Sequence, residues 1–268
     1  MKKYSILFTL AILIGSVILT GCGPKGGATA PAATATVPAT ASSPTNTPQV
    51  APPNPPAAVS RNIHLDPAVT EDADSLAVSS LVYDGLIRLD AGGNLQPALA
   101  TTWTMSDDQL DVVITLRRDV TFSSGSAFNA DIVLANFNRW FDPADTLHGS
   151  QAYPGWTKYF LGFKGDVDSQ GVSVSQFDGI EKVDDYTVLI HLNRPEPNLL
   201  QNLAQAYFGM LDPAVLASQG EATGTTAQSV SGTGAYRVSS WTDSGLVLAP
   251  NPNYWGGVPA ENLNIGWK

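Results

Sequence analysis

The chain has 268 residues, 43% of them hydrophobic, with one Cys, three His and a formal net charge of −10, enough length for one large or two small cores. A lone cysteine excludes a Cys-based zinc cluster, a redox pair or a disulfide scaffold, each of which needs at least two thiols. The 14 Lys and Arg form no cluster that could neutralise phosphates along a groove, so nucleic acid is excluded as a partner.

Met1-Lys2-Lys3 is a short basic start, and Ile6 to Leu19 is an apolar run broken only by Thr9, Gly15 and Ser16. At about 1.5 Å per helical residue the run reaches roughly 20 Å, short of the ~30 Å hydrocarbon core, so residues 1–21 read as a signal peptide rather than a spanning helix. Leu19-Thr20-Gly21-Cys22 then puts small residues directly before the only cysteine. That run resembles the bacterial lipobox, which makes Cys22 the expected lipidation site and first mature residue. Residues 22–58 read as a tether. Between 23 and 58 lie nine of the 19 prolines, a single charge at Lys25 and no aromatic. Such a composition cannot bury enough apolar surface to offset its ordering entropy, so a semi-extended, partly polyproline spacer is expected. Without Lys2, Lys3 and Lys25 the remainder, 59–268, holds 11 basic against 24 acidic residues, a net −13.

Glu71, Asp72 and Asp74 after Thr70 and before Leu76, Leu81 and Val82 predict a capped helix with acidic residues at its positive end, stopped by Gly85. Leu86 to Leu89 and Asn94 to Gln96 flank Asp90-Ala91-Gly92-Gly93, a small hairpin. Alternation of Leu110, Val112, Ile114 and Leu116 with polar residues predicts a half-buried strand, although Val113 spoils its polar face. Asn129 can cap a helix carrying Ile132, Val133, Phe137 and Trp140, ending at Asp142-Pro143. Ile180 to Leu192, turning at Asp184-Asp185, repeats the two-strand pattern of Trp103 to Leu116. Leu199 to Leu203 and the residues after Asp212-Pro213 predict short helices, and 220–234 a polar, glycine-rich loop. Strands return at 236–240, 246–248 and 263–267. The class is mixed α/β. The last alternation runs to Lys268 with nothing to cover it, the expectation being a truncated domain.

Catalytic chemistry finds no purchase in these residues. His64, His148 and His191 lie far apart, without metal-ligand spacing, and no Gly-Xaa-Ser-Xaa-Gly nucleophile turn occurs. Asp107-Asp108 and Asp184-Asp185 sit at strand turns, where aspartate is favoured for its local backbone bonds. Gly232-Thr233-Gly234 lacks the Lys-Ser/Thr ending of a phosphate loop and precedes a strand. No enzyme activity, catalytic residue, metal site or cofactor is expected.

Seven segments, in order, resemble the family-5 extracellular solute-binding proteins of bacterial ABC importers, the dipeptide-, oligopeptide- and nickel-binding type. They are Leu65-Asp66-Pro67; Leu81 to Leu86; Pro97-Ala98-Leu99-Ala100 with Trp103; Leu116-Arg117 through Val120 and Phe122; Gly125 to Asp131; Gly232 to Tyr236; and Asn251-Pro252-Asn253-Tyr254-Trp255. Ser123-Ser124 and Ala235 depart from the usual residues, and Val59 to His64 matches poorly.

The resemblance implies a periplasmic-binding-protein-like lobe I (class II, cluster C type) with an appended subdomain, the second lobe being absent from this sequence. Residues 59–75 and 230–268 would form the lobe I core and 76–229 the subdomain. It further implies capture of short peptides by hinged closure and delivery to an ABC permease in the membrane by a lipid-anchored, extracytoplasmic monomer. Expected ligand-facing residues are Asp74, Ser75 and Leu76, with Trp156 and Tyr207 on the subdomain side. With half the cleft absent, weak or absent binding is expected of this chain alone. Nickel complexes, opines or oligosaccharides are other cargoes within the family, and a surface structural or adhesive lipoprotein that keeps only the scaffold is the reading outside it.

Overall fold

A computed structural model describes residues 52–268. The signal peptide 1–21, Cys22 and most of the 22–58 tether lie outside the described residues. In chain order the strands are β1 (Ala58–Val59), β2 (Ile87–Leu89), β3 (Leu95–Pro97), β4 (Ala100–Met105), β5 (Asp111–Leu116), β6 (Phe177–Asp184), β7 (Thr187–Leu192), β8 (Tyr236–Thr242), β9 (Gly245–Pro250) and β10 (Leu263–Trp267). The α-helices are α1 (Ala73–Val82), α2 (Ala130–Phe141), α3 (Pro154–Phe160), α4 (Leu199–Leu203) and α5 (Pro213–Gln219).

The two predicted two-strand units are β4–β5 and β6–β7, and they join through β5 and β7 into one antiparallel sheet of order β4-β5-β7-β6. Val112 sits opposite Ile190 and Ile114 opposite Val188, and all four are fully buried. Val113 points the other way and is 41% exposed, as a period of two requires. The buried face meets α2 and α3 over an aromatic interior. Phe137 stacks on Phe177 at 5.6 Å, Trp140 meets Phe208 edge-on at 5.3 Å, and Trp156 stacks on Phe160 at 4.4 Å.

A second core lies under the sheet β1-β10-β9-β8, in which only the β1–β10 pair is parallel. Val78, Leu81 and Val82 of α1 pack there with Leu246, Leu248 and Ile265. The expected subdomain boundary at residue 76 therefore cuts through a helix whose buried face belongs to the smaller core. Burial places the change of core after α1, near Tyr83. The helix is capped by Asp72, whose Oδ2 accepts from the Ser75 amide at 2.7 Å, and it ends at Val82, before the expected stop at Gly85. Within the predicted loop, 229–234 is buried because it passes against the end of α1.

Three of the sequence signatures meet at that point. The Gly234 amide donates to the Val82 carbonyl at 2.9 Å, and a Cβ on Gly232 would fall onto the same carbonyl. Asn251 Nδ2 donates to the Gly234 carbonyl at 2.9 Å. The Asp84 carboxylate accepts from Thr233 Oγ1 at 3.0 Å and from the Trp255 indole N–H at 2.9 Å. Desolvation pushes the Asp84 carboxyl above the usual range, partly opposed by those two hydrogen bonds and by Arg88 and Arg117. A carboxyl raised in the folded state ionises more readily in the unfolded chain, so its contribution is full below the unfolded value of 3.8 and is lost as pH rises through the folded one. Asp84→Asn keeps an acceptor and removes the charge. It is expected to gain stability relative to the parent as pH is raised from 4 to 7, read as the difference in urea midpoints; a constant difference would refute the assignment.

Candidate functional site

The surface expected to face a ligand is held by a buried polar brace. Asp66 precedes the 3-10 turn Pro67–Val69 and caps it through the Ala68 amide at 3.3 Å. The same carboxylate is gripped by two guanidinium nitrogens of Arg139 on α2, Nη1 at 3.3 Å and Nη2 closer, with both side chains at or below 5% exposure. Burial would lower the Arg139 pKa, but the charge and hydrogen bonds of Asp66 outweigh it and leave the pKa raised. Arg139 Nε donates to the Leu147 carbonyl at 3.2 Å, and the Arg139 carbonyl meets His148 Nδ1 at 2.7 Å. The Tyr83 hydroxyl ties the C-cap of α1 to the Leu65 carbonyl at 2.8 Å. The ion pair thus ties the turn at 67–69 to α2 and the loop leading to α3, and the Tyr83 hydroxyl adds the end of α1.

The five expected ligand residues have different fates. Asp74 is committed internally, its Oδ2 accepting from the Ser60 amide at 2.8 Å and its Oδ1 from Lys268 Nζ at 2.9 Å. The Lys268 hydrogen bond is the main cause of its lowered pKa. Ser75 is buried, donates to Asp72 Oδ2 at 2.7 Å and accepts from the His64 amide at 2.9 Å. The expectation for Trp156 is corrected: it is 1% exposed, its indole N–H is satisfied by the Gly162 carbonyl at 2.9 Å, and aromatic rings surround it. It forms part of the wall's interior. Leu76 on α1 and Tyr207, in the 3-10 turn Ala206–Phe208, are half-buried. These two retain solvent-exposed surface.

Tyr207 lies on α3, where a Cβ on Gly155 would come 2.5 Å from its own Cβ. Beside it the sequence reading missed Lys158 and Tyr159. The Tyr159 and Tyr207 rings are 6.1 Å apart, and Lys158 Nζ sits 5.0 Å and 5.9 Å from their centroids. The signal was present. Pro154 opens a helix at its first position, and Trp156 and Phe160, four apart, define its buried face, which leaves Lys158 and Tyr159 on the outer one. Gly155→Ala should force Tyr207 off α3, costing about 1–3 kcal/mol by overpacking and weakening ligand binding together with stability. Unchanged melting and binding would show that Tyr207 is not seated there.

A cavity lies one turn further along α1. It measures about 690 Å³ and is walled by Ser80, Tyr83, the β2–β3 hairpin, Gln205, Ala206 and Tyr254. None of the five expected residues lines it. Among the described residues no group of three or more His, Cys, Asp or Glu is arranged to hold a metal.

Comparison with known proteins agrees with this architecture. Residues 94–265 match the family model described as bacterial extracellular solute-binding proteins, family 5 Middle. The glutathione-binding protein GsiB of Escherichia coli is 31% identical over 206 residues, which is 76% of this chain but 35% of the relative, so the chain spans about a third of the length of such curated relatives. Among solved structures, the periplasmic binding protein DppA from Helicobacter pylori, in complex with peptide STSA, is 28% identical with a TM-score of 0.64, covering 76% of this chain and 40% of its own. NikA from Brucella suis, in complex with Fe(III)-EDTA, is 28% identical with a TM-score of 0.60, covering 78% and 37%. The fold is therefore that of a periplasmic binding protein, and the chain belongs to the bacterial extracellular solute-binding proteins of family 5.

Proposed function

We propose that this chain contributes one wall of the cleft of an ABC importer's binding protein, which captures short peptides outside the membrane and hands them to the permease. The observation that carries the reading is the family match over residues 94–265, supported by the likeness to a binding protein solved with a tetrapeptide. In this reading Leu76 and Tyr207 face the peptide, with Lys158 and Tyr159 beside them. The Asp66–Arg139 brace keeps them from shifting when the ligand arrives. Residues 59–83 with 230–268, joined by Leu211 and Leu216 of the α5 region, act as the lobe core and the sheet β4-β5-β7-β6 as its appended subdomain. Cys22 supplies the lipid anchor, and the prolines up to residue 56 hold the domain off the bilayer. The protein works as a monomer without a cofactor.

The test is to purify the full-frame protein without its lipid anchor, denature it, and identify what it carried by mass spectrometry. Peptides of two to several residues are expected. Tyr207→Ala should weaken peptide binding roughly tenfold, since one buried contact at a binding surface is commonly worth over 1 kcal/mol. A metal chelate or a sugar in place of peptides would move the cargo to another branch of the family. A protein that carries and binds nothing would favour the structural lipoprotein.

A further inference from the structure

The cavity beside the hairpin has a chemical character of its own. Its polar groups are unevenly committed. Asp84 accepts from Thr233 and Trp255. Asp90 accepts from the Gly92 and Asn94 amides and from the side chains of Asn94 and Gln96, between 2.9 and 3.1 Å. Arg117 has its Nε on the Ala98 carbonyl at 3.0 Å and its guanidinium 4.1 Å from the centre of the Trp255 ring. Arg88, half-buried on β2 and lining the cavity, is different. Among the described residues its guanidinium makes no hydrogen bond or ion pair, in a protein with a surplus of carboxylates.

A partly desolvated guanidinium with five unspent donors matches a planar carboxylate in a bidentate fork. Arg117, which is not one of the lining residues, is disfavoured by the nearby Arg88 charge and favoured by Asp84, so a further anion held by Arg88 relieves the remaining repulsion. Two features limit the anion to a single charge: Asp84 and Asp90 border the same space, and Arg88 is its one uncommitted cation among the described residues. The other walls are Ile87, Leu89, Ala204 and Ala206 with the rings of Tyr83 and Tyr254, which suit an apolar or aromatic body. Pro52, Pro53 and Asn54 also line it. We propose that this cavity is a second binding site, separate from the Leu76–Tyr207 surface, for a small monocarboxylic acid with an apolar body, held through Arg88.

Phenylacetate is a suitable probe, with acetate, 2-phenylethanol and inorganic phosphate as comparators, titrated into the protein and followed by amide chemical shifts. Saturable shifts at Gly85, Ile87 and Leu89 are expected with phenylacetate, with affinity at least tenfold lower for acetate and no saturation with 2-phenylethanol or phosphate. Arg88→Gln should lose phenylacetate at least tenfold while peptide binding stays as in the parent. Tyr207→Ala should do the reverse, so failure of either site is read separately. If Arg88→Gln does not fold, Arg88→Lys and the neutral 2-phenylethanol supply the same contrast. Absence of saturable shifts, equal binding of 2-phenylethanol, tighter binding of phosphate at the same amides, or an Arg88→Gln protein that binds phenylacetate undiminished would each overturn the proposal.

Discussion

Arg139→Met is expected to cost about 3–5 kcal/mol of stability, because it strands the Asp66 carboxylate in the interior without its counter-charge. Asp66 is 1% exposed and Arg139 4%, so neither charge can turn to water when the other is removed. For a domain of this size the loss corresponds to a fall of roughly 6–20 °C in melting temperature. The double substitution Asp66→Leu with Arg139→Met should recover much of the loss, since replacing both members of a buried pair removes the desolvation penalty with the attraction. Recovery will be incomplete because Asp66 also caps the turn at 67–69 and Arg139 holds the Leu147 carbonyl. Urea unfolding of the two singles and the double gives the coupling directly. Additive losses would mean that the pair acts as two independent groups, and the brace would then not be what positions the turn.

Trp156→Ala is expected to cost a further-reaching 3–5 kcal/mol, the usual range for emptying a large aromatic site that cannot collapse. The ring contacts Trp140, Phe141, Phe160, Phe177 and Phe208, and α2, α3 and β6 all lean on it. Trp156→Phe should lose less, since it keeps most of the apolar volume and gives up mainly the indole bond to the Gly162 carbonyl. Tyr207→Ala, one helix face away, should lower melting far less and peptide affinity far more. If instead Trp156→Ala kept its melting temperature and lost peptide binding, the tryptophan would be a ligand residue and the interior described above would be wrong.

Trp156 also shows where sequence reading reached its limit. A tryptophan in a glycine-flanked stretch can belong to a cleft or to a core, and its own residue type does not choose between them. The choice depends on which faces surround it, and those come from residues 140, 141, 177 and 208, in segments made adjacent only by folding. Asp74 and Ser75 are similar. Their place at the start of a helix was readable, whereas their partners Ser60, Lys268 and His64 come from strand and loop segments whose approach no local pattern encodes.

Elements whose stability is local were legible. The hairpin at 86–97, the strands at 110–116 and 180–192, the helix capped by Asn129 and the three closing strands stand where periodicity and turn residues placed them. The short helix α3 was missed because seven residues carry less than two turns of pattern. Its one local signal is Pro154 at the first helical position.

By itself the sequence determined the class, the order of the elements, the alternation of buried faces and the seven signatures of the family, because each depends on residues within a few positions of one another. The tertiary structure decided that two strand pairs form one sheet, that α1 serves the smaller core, that a buried ion pair 73 residues apart ties the turn at 67–69 to α2, and that Arg88 is left uncommitted among the described residues of a cavity. These depend on burial and on long-range partners, and the free energy of a charge or a ring is set by what surrounds it, which only the closed chain supplies.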